Sequence, residues 1–253
     1  LAHLDTLTLR VSNPDAQRCF YRDVFGMSES DNGTLSYSAQ DVSLSFEQAQ
    51  HPYAPQDSDL FWKIAIAVPN IDLAVSQLRA AGVECTTPKQ FRDVGYLAKA
   101  MDPEGFPVEL IDHHFKGNRP TRPYDESLLG GGPHINLVTL RTSDITAIQP
   151  DILSWGLPLL SIQDVTPFGF TLYFYGSTQA SPPNADPTAV ENRPWLYQRP
   201  ETLLEIQHVP ALERETVPQV GAAGYAGLTI ATSQPFTSCQ RLKITSVPRI
   251  QIR

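Results

Sequence analysis

The sequence predicts an α+β fold built from tandem strand-helix-three-strand units, and three observations predict it. His3 to Ser12, HLDTLTLRVS, returns at His134 to Ser143 as HINLVTLRTS, about half of the 253-residue chain later. A strand repeated at that distance marks a duplicated unit. Each copy alternates, so Leu7, Leu9 and Val11 share one face while Thr6, Thr8 and Arg10 share the other. Strand-like and helix-like runs then follow one another in the same order in successive stretches. Helices are expected on the apolar faces, burying Leu7, Leu9, Val11, Ile64, Ile66, Val108, Leu110, Leu140, Leu204, Ile206, Leu228 and Ile230.

Asn13-Pro14 caps the first helix, AQRCFYRDVF, which Gly26 ends. Asp31-Asn32-Gly33 is a hairpin turn, followed by strands over 35–38 and 42–47. Residues 51–58, with Pro52 and Pro55, form a loop. The second unit opens on FWKIAIAV, with Trp62, Ile64, Ile66 and Val68 on one face and Lys63, Ala65 and Ala67 on the other. Asn70 caps a helix that Gly82 stops. Strands near 83–86 and 96–101 lead to the hairpin Asp102-Pro103-Glu104-Gly105. In the strand FPVELID that follows, Val108 and Leu110 face the helix and Glu109 the polar side. Residues 116–132, with Pro120, Pro123 and a triple glycine, read as a linker between an N-terminal domain, 1–115, and a C-terminal one, 133–253. The third unit has the repeated strand and a weak helix after Asp144, interrupted by Pro150. Strands over 157–163 and 170–176 and a polar loop over 177–194 follow, then the strand TLLEIQH, an echo of FPVELID. A fourth unit opens at GYAGLTIATS and is then cut short, with no counterpart of the glutamate-bearing strand.

With 41% hydrophobic residues, the chain can bury one large core or two ordinary ones. A net charge of −8 makes nucleic acid and anionic membrane poor partners, and neither is expected. No apolar run is long enough to span a bilayer and no secretory signal pattern is present. Cys19, Cys85 and Cys239 are odd in number and form no metal knuckle or redox pair. These features predict a reduced, cytoplasmic protein.

TLTLRVSNPDAQRCFYRDVFGM in the first unit, and LxxAGV followed by DPEGFPVEL in the second, resemble the vicinal oxygen chelate superfamily. That superfamily includes glyoxalase I, extradiol dioxygenases and the bleomycin- and fosfomycin-resistance proteins. FTLYFYG, RPWLYQRPETLLEIQH and GYAGLTIA are similar to eukaryotic-type glyoxalase I. The resemblance implies βαβββ modules that cup in pairs into curved mixed sheets around a cavity, with helices outside. It also implies a divalent metal on the polar face, held by His, Gln or Glu from the first and last strands of each unit. Such an ion polarises two substrate oxygens and stabilises an enediolate. Carried over residue by residue, the ligand places fall on Thr6 and Ser43, on Lys63 and Glu109, on Leu137 and Glu205, and on Gly227 with its partner missing. Glu109 and Glu205 match. Thr6, Ser43, Leu137 and Gly227 are not ligand-like, and the Lys63 ammonium repels a cation at close range. A metal is therefore implied without a full ligand set, and no other cofactor is expected.

Each candidate has a structural alternative. Glu109 is a ligand, or it pairs with Lys63 as a replacement for the lost metal. Glu205 is a catalytic base or remaining ligand, or it pairs with Arg141 or Arg10. Arg10 and Arg141 lie two residues beyond Thr8 and Thr139 on the polar face. In glyoxalase I the matching arginine helps to hold a glutathione carboxylate, a task that suits guanidinium geometry; otherwise these are rim arginines paired with nearby acids. Thr139, Arg141, Gln207 and Tyr173 are expected to surround Glu205, with Lys63, Thr8 and Arg10 as further substrate contacts. His3 and His134 stand three positions before a ligand place and point away unless a bulge turns them. His208 faces away from Glu205 for the same reason, and His113 and His114 are expected in solvent just past a strand.

Three function classes follow. The first is a glyoxalase-I-like lyase or isomerase acting on a small oxygenated, carboxylate-bearing substrate, with Glu205 as base. The second is a metal-free small-molecule binding or sequestering protein of the bleomycin-resistance type. The third, ranked last, is an extradiol-type dioxygenase, which needs two His and one Glu in one half. The partner is a small molecule in every case, and a homodimer is compatible because members of this superfamily exchange units between chains. Units one with two and three with four would make two cups. A crossed pairing, one with four and two with three, would bring Lys63, Glu109 and Glu205 into one cavity.

Overall fold

The computed structural model describes residues 1–232 and 248–253. The first unit supplies β1 (His3–Val11), α1 (Pro14–Cys19), β2 (Ser28–Glu29), β3 (Leu35–Ser36) and β4 (Ser43–Gln48). The second supplies β5 (Phe61–Val68), α2 (Ile71–Ala80), β6 (Lys89–Phe91), β7 (Gly95–Met101) and β8 (Pro107–Asp112). The third supplies β9 (His134–Thr142), α3 (Ile145–Ser154), β10 (Leu159–Val165), β11 (Phe170–Tyr175), α4 (Asn192–Tyr197) and β12 (Leu203–His208). β13 (Gly224–Ala231) and β14 (Ile250–Ile252) belong to the fourth.

These strands form two mixed sheets, ordered β14-β13-β1-β4-β3-β2 and β10-β11-β12-β9-β5-β8-β7-β6. First strands meet antiparallel within each, β1 against β13 and β5 against β9. The pairing is thus crossed, unit one with four and unit two with three. This corrects the expectation that residues 1–115 and 133–253 each close their own cup. The reason is general: each first strand leaves one edge of N–H and C=O groups unpaired, and any other first strand can satisfy it.

Within every unit the last strand runs parallel beside the first: β4 on β1, β8 on β5, β12 on β9 and β14 on β13. β14 therefore stands where the fourth unit's last strand was expected to be missing. Gln251 pairs with Thr229, as Glu109 pairs with Ala65 and Glu205 with Thr139. The same register moves the first unit's place from Ser43, which pairs with Thr6, to Ser45, which pairs with Thr8. Cys239 lies outside the described residues.

Every apolar position expected inside is buried, at 3% exposure or less. Side-chain oxygens of Asn13, Asn70 and Asp144 cap the three main helices, accepting from Ala16 N at 3.0 Å, Leu73 N at 3.1 Å and Thr146 N at 3.0 Å. Pro150 does not interrupt α3. Burying Ile145, Ile148 and Ile152, at about 1.5–3 kcal/mol each, outweighs a proline penalty of about 3 kcal/mol. No helix among the described residues is long and apolar enough to cross a membrane.

The Asp102–Gly105 hairpin joins the two sheets. Asp102 Oδ1 accepts from the N–H groups of Glu104, Gly105 and Phe106, and Oδ2 accepts from Gln17 and Tyr21 of the first unit's helical segment. Glu104 accepts from Ser12 N and Oγ, both at 2.9 Å, and from Tyr53 N at 2.8 Å. The repeated strand keeps this arrangement, since Ser143 N and Oγ donate to Glu215.

His134, opening β9, faces His113 with ring centroids 5.4 Å apart. Burial, aided by His134 and His114, holds His113 down to about 3, and burial holds His134 down to about 4. His113 is therefore not the solvated side chain expected from its place beyond a strand. Both folded values lie below the ordinary 6.5. Their stabilising contribution is full above about pH 6.5 and is lost as pH falls toward 4 and 3. Stability in urea should decline below about pH 6, each ring adding a slope of up to about 1.4 kcal/mol per pH unit. His113→Gln should flatten that decline by close to one proton; an unchanged slope would show that His113 is not held neutral.

Candidate functional site

The polar face of the eight-stranded sheet carries a cavity of ≈ 470 Å³. Its chemistry comes from neighbouring rungs of the ladder. Lys63 on β5 lies opposite Thr139 on β9, Thr139 lies opposite Glu205 on β12, and Glu205 lies opposite Phe174 on β11. Glu109 on β8 belongs to the adjacent rung, opposite Ala65 and Lys99. Alternation places all of these side chains on one face.

Lys63 is the centre of the cluster. Its ammonium donates to Glu109 Oε1 at 2.9 Å and lies 3.5 Å from Glu205 Oε1. All three side chains are buried, Lys63 and Glu205 at 2% exposure. Burial works against the lysine's charge, but Glu109 and Glu205 outweigh it and hold the ammonium above its usual range. Burial pushes Glu205 up, with Lys63 opposing and Glu109 adding to the rise. Two carboxylates share one cation, and the nearer takes the hydrogen bond. Glu205 Oε1 and Thr139 Oγ1 are sealed from solvent and make no hydrogen bond. Its raised affinity for a proton makes Glu205 a candidate base facing the cavity.

The walls are apolar. Phe170, Leu172 and Phe174 line one side from β11, Phe91 and Leu97 face them from β6 and β7, and Leu137 closes the floor. Two wall residues break the expected pattern. Between Phe61, opposite Leu140, and Lys63, opposite Thr139, β5 carries one extra residue. This bulge turns Trp62 from the helix side into the cavity beside Lys63. Tyr197 enters from α4, a helix that begins within the expected loop and runs beyond its end, and its hydroxyl donates to Val94 O at 2.8 Å. Neither a bulge nor a helix in a proline-rich excursion leaves a periodic signal in the sequence.

Of the expected site residues, Lys63, Glu109, Thr139, Glu205 and Gln207 come together, and Leu137 joins them. Arg141 stands at the rim, donating from Nε to Gln207 Oε1 at 3.0 Å with its guanidinium 4.9 Å from the Trp62 ring centre. It is not the partner of Glu205. Thr8 and Arg10 lie in the other sheet, where Thr8 sits between Ser45 and Gly227 and Arg10 pairs with Glu47 at 2.9 Å. Thr6, Ser43 and Gly227 lie there too. Tyr173 faces away: Phe174 is opposite Glu205, so Tyr173, opposite Ile206, belongs to the helix side and approaches His208. His3 sits at an exposed strand end, and His208 meets Ser143 O at 3.2 Å.

Residues 3–110 match the family model of the Glyoxalase/Bleomycin resistance protein/Dioxygenase superfamily. No curated protein sequence matches the chain. Among solved structures, it is similar to a mutant of glyoxalase I from Zea mays, with a TM-score of 0.62 and 19% identity over 92% of this chain and 75% of that one. Glyoxalase I from the same plant gives a TM-score of 0.59 and 18% identity over the same shares. A putative dioxygenase from Bacillus subtilis gives 0.56 and 15% identity over 91% of this chain and 70% of its own. These likenesses establish the fold.

The places that the resemblance assigns to metal ligands come together in this cup as Lys63, Glu109, Leu137 and Glu205: an ammonium, a hydrocarbon and two carboxylates. Among the described residues no three His, Cys, Asp or Glu side chains are placed to hold a metal ion. This donor set does not fit a divalent cation, because the ammonium fills the space between the carboxylates and carries the same sign.

Proposed function

We propose that the eight-stranded cup binds a small oxygenated organic molecule without a divalent ion, the Lys63 ammonium providing the positive charge. One observation carries this reading: an apolar cavity of ligand size that ends in a buried lysine shared by two glutamates. An ammonium held in place needs no reorganisation when a ligand's carbonyl oxygen gains negative charge. A second reading, lyase or isomerase chemistry, is favoured by the unbonded Oε1 of Glu205. Ionised beside Lys63, the Glu205 carboxylate can take the proton from a hydroxyl-bearing carbon beside a carbonyl and return it to the former carbonyl carbon, while the hydroxyl proton passes to the carbonyl oxygen. Lys63 would steady the intermediate enolate.

Proton exchange separates the two. With 2-hydroxyacetophenone in D2O and chelator present, NMR should show loss of the α-proton signal with wild-type protein. The rate should fall about 100-fold in Glu205→Gln, within the range of general acid–base effects, while binding measured by calorimetry persists. Binding without exchange would leave the cup a binding site only. If neither occurs, with or without added metal, the proposal fails for this ligand class.

A further inference from the structure

The cup is polarised along its length, and this deepens the reading of it as a binding site, on which the present inference rests. We infer that its ligand is a planar aromatic carboxylate, with the ring between the β11 and β6–β7 walls and the carboxylate at the mouth between Lys89 and Lys99. The walls come first. Phe170, Leu172 and Phe174 are alternate residues of one strand, so their side chains stand in a row on one face. Phe91 and Leu97 complete a slot whose surfaces are mostly rings. Flat surfaces of this kind favour a planar ligand, which stacks without losing rotamer freedom of its own.

The charges come second. The chain carries a net −8, yet its cavity is lined by three lysines and two glutamates. Lys63 is committed to Glu109 and Glu205 deep inside. Lys89 and Lys99 are exposed at the mouth, and neither takes part in an ion pair among the described residues. Lys99 Nζ lies 5.4 Å from the Trp62 ring centre, which sets its charge over an aromatic face at the rim. An anion entering ring first meets these two cations last, after its apolar body is covered. The deep end offers hydrogen bonds to a ring hydroxyl or carbonyl, but no unpaired charge for a second anionic group.

Four probes test this on the full chain by calorimetry in low salt: 1-naphthoate, neutral 1-naphthylmethanol, cationic 1-naphthylmethylammonium and the aliphatic octanoate. 1-Naphthoate should bind at least about tenfold more tightly than each of the others. Lys89→Ala with Lys99→Ala, both surface changes, should weaken 1-naphthoate about tenfold and leave 1-naphthylmethanol unchanged. The preference should shrink as salt rises. Equal binding of naphthoate and the alcohol, or indifference to the double substitution, would overturn the anionic assignment while the binding reading stands. Octanoate as tight as naphthoate would overturn the aromatic one. Failure of all four probes would overturn the binding reading itself.

Discussion

Lys63→Met is expected to lower stability at pH 8 by about 3–5 kcal/mol, as removing one partner of a buried ion pair does. For a chain of this size that is a fall in Tm of roughly 10 °C. Methionine replaces the lysine's aliphatic stem, so the loss comes from charge and not from a cavity. Glu109 and Glu205 would then be two buried carboxylates with no counter-ion, 7% and 2% exposed. Without the lysine's opposing charge, burial and repulsion from Glu109 would raise Glu205 further above the ordinary carboxylate range. A raised folded value means stability that is present at low pH and lost as pH rises through it. The deficit of Lys63→Met should therefore be largest at pH 8 and shrink toward pH 5. Adding Glu109→Gln and Glu205→Gln should recover most of it at pH 8, because a neutral cluster is cheaper to bury than an unbalanced one. Urea melts at both pH values measure this. A single variant as stable as wild type at pH 8 would mean that the lysine does not neutralise the cluster.

Changing Lys63 and Leu137 together to histidine is expected to give the chain one divalent ion per molecule. The two imidazoles would join Glu109 and Glu205 on the same face, making two nitrogen and two oxygen donors, a set that suits Zn, Ni or Co. At an ion concentration 100-fold above its Kd, the variant should gain about 2.7 kcal/mol and a matching rise in Tm. Wild-type protein should gain nothing from the same ions. Elemental analysis after gel filtration reads the stoichiometry directly. One ion per chain in the wild type would refute the view that the ammonium takes the metal's place. A folded double variant that takes up no ion would show that these places do not converge on a common centre.

The strand and helix elements were largely legible in the sequence because their signals are local. Alternation in HLDTLTLRVS and FPVELID assigned the buried faces of β1 and β8 correctly, since a side chain's face follows from its parity along a strand. Asn13, Asn70 and Asp144 announced their helices through capping chemistry that acts over three residues. The resemblance to the vicinal oxygen chelate superfamily, carried over residue by residue, assigned Lys63, Glu109, Leu137 and Glu205 to equivalent places on the polar face. Where local signals misled, a tertiary contact had outvoted them. Pro150 stays helical because its neighbours are buried, and Trp62 reaches the cavity because β5 carries a bulge against β9.

By itself the sequence determined the units and their inward and outward faces. It could not choose which unit zips to which. That choice depends on two unpaired strand edges meeting in space, and hydrogen bonds between main chains carry no residue code. Only the tertiary structure decided that β5 pairs with β9, so that a glutamate 142 positions beyond Lys63 (Glu205, not Arg141 or Arg10) completes the charge cluster. Coulomb attraction needs only a few ångströms of separation and is blind to distance along the chain.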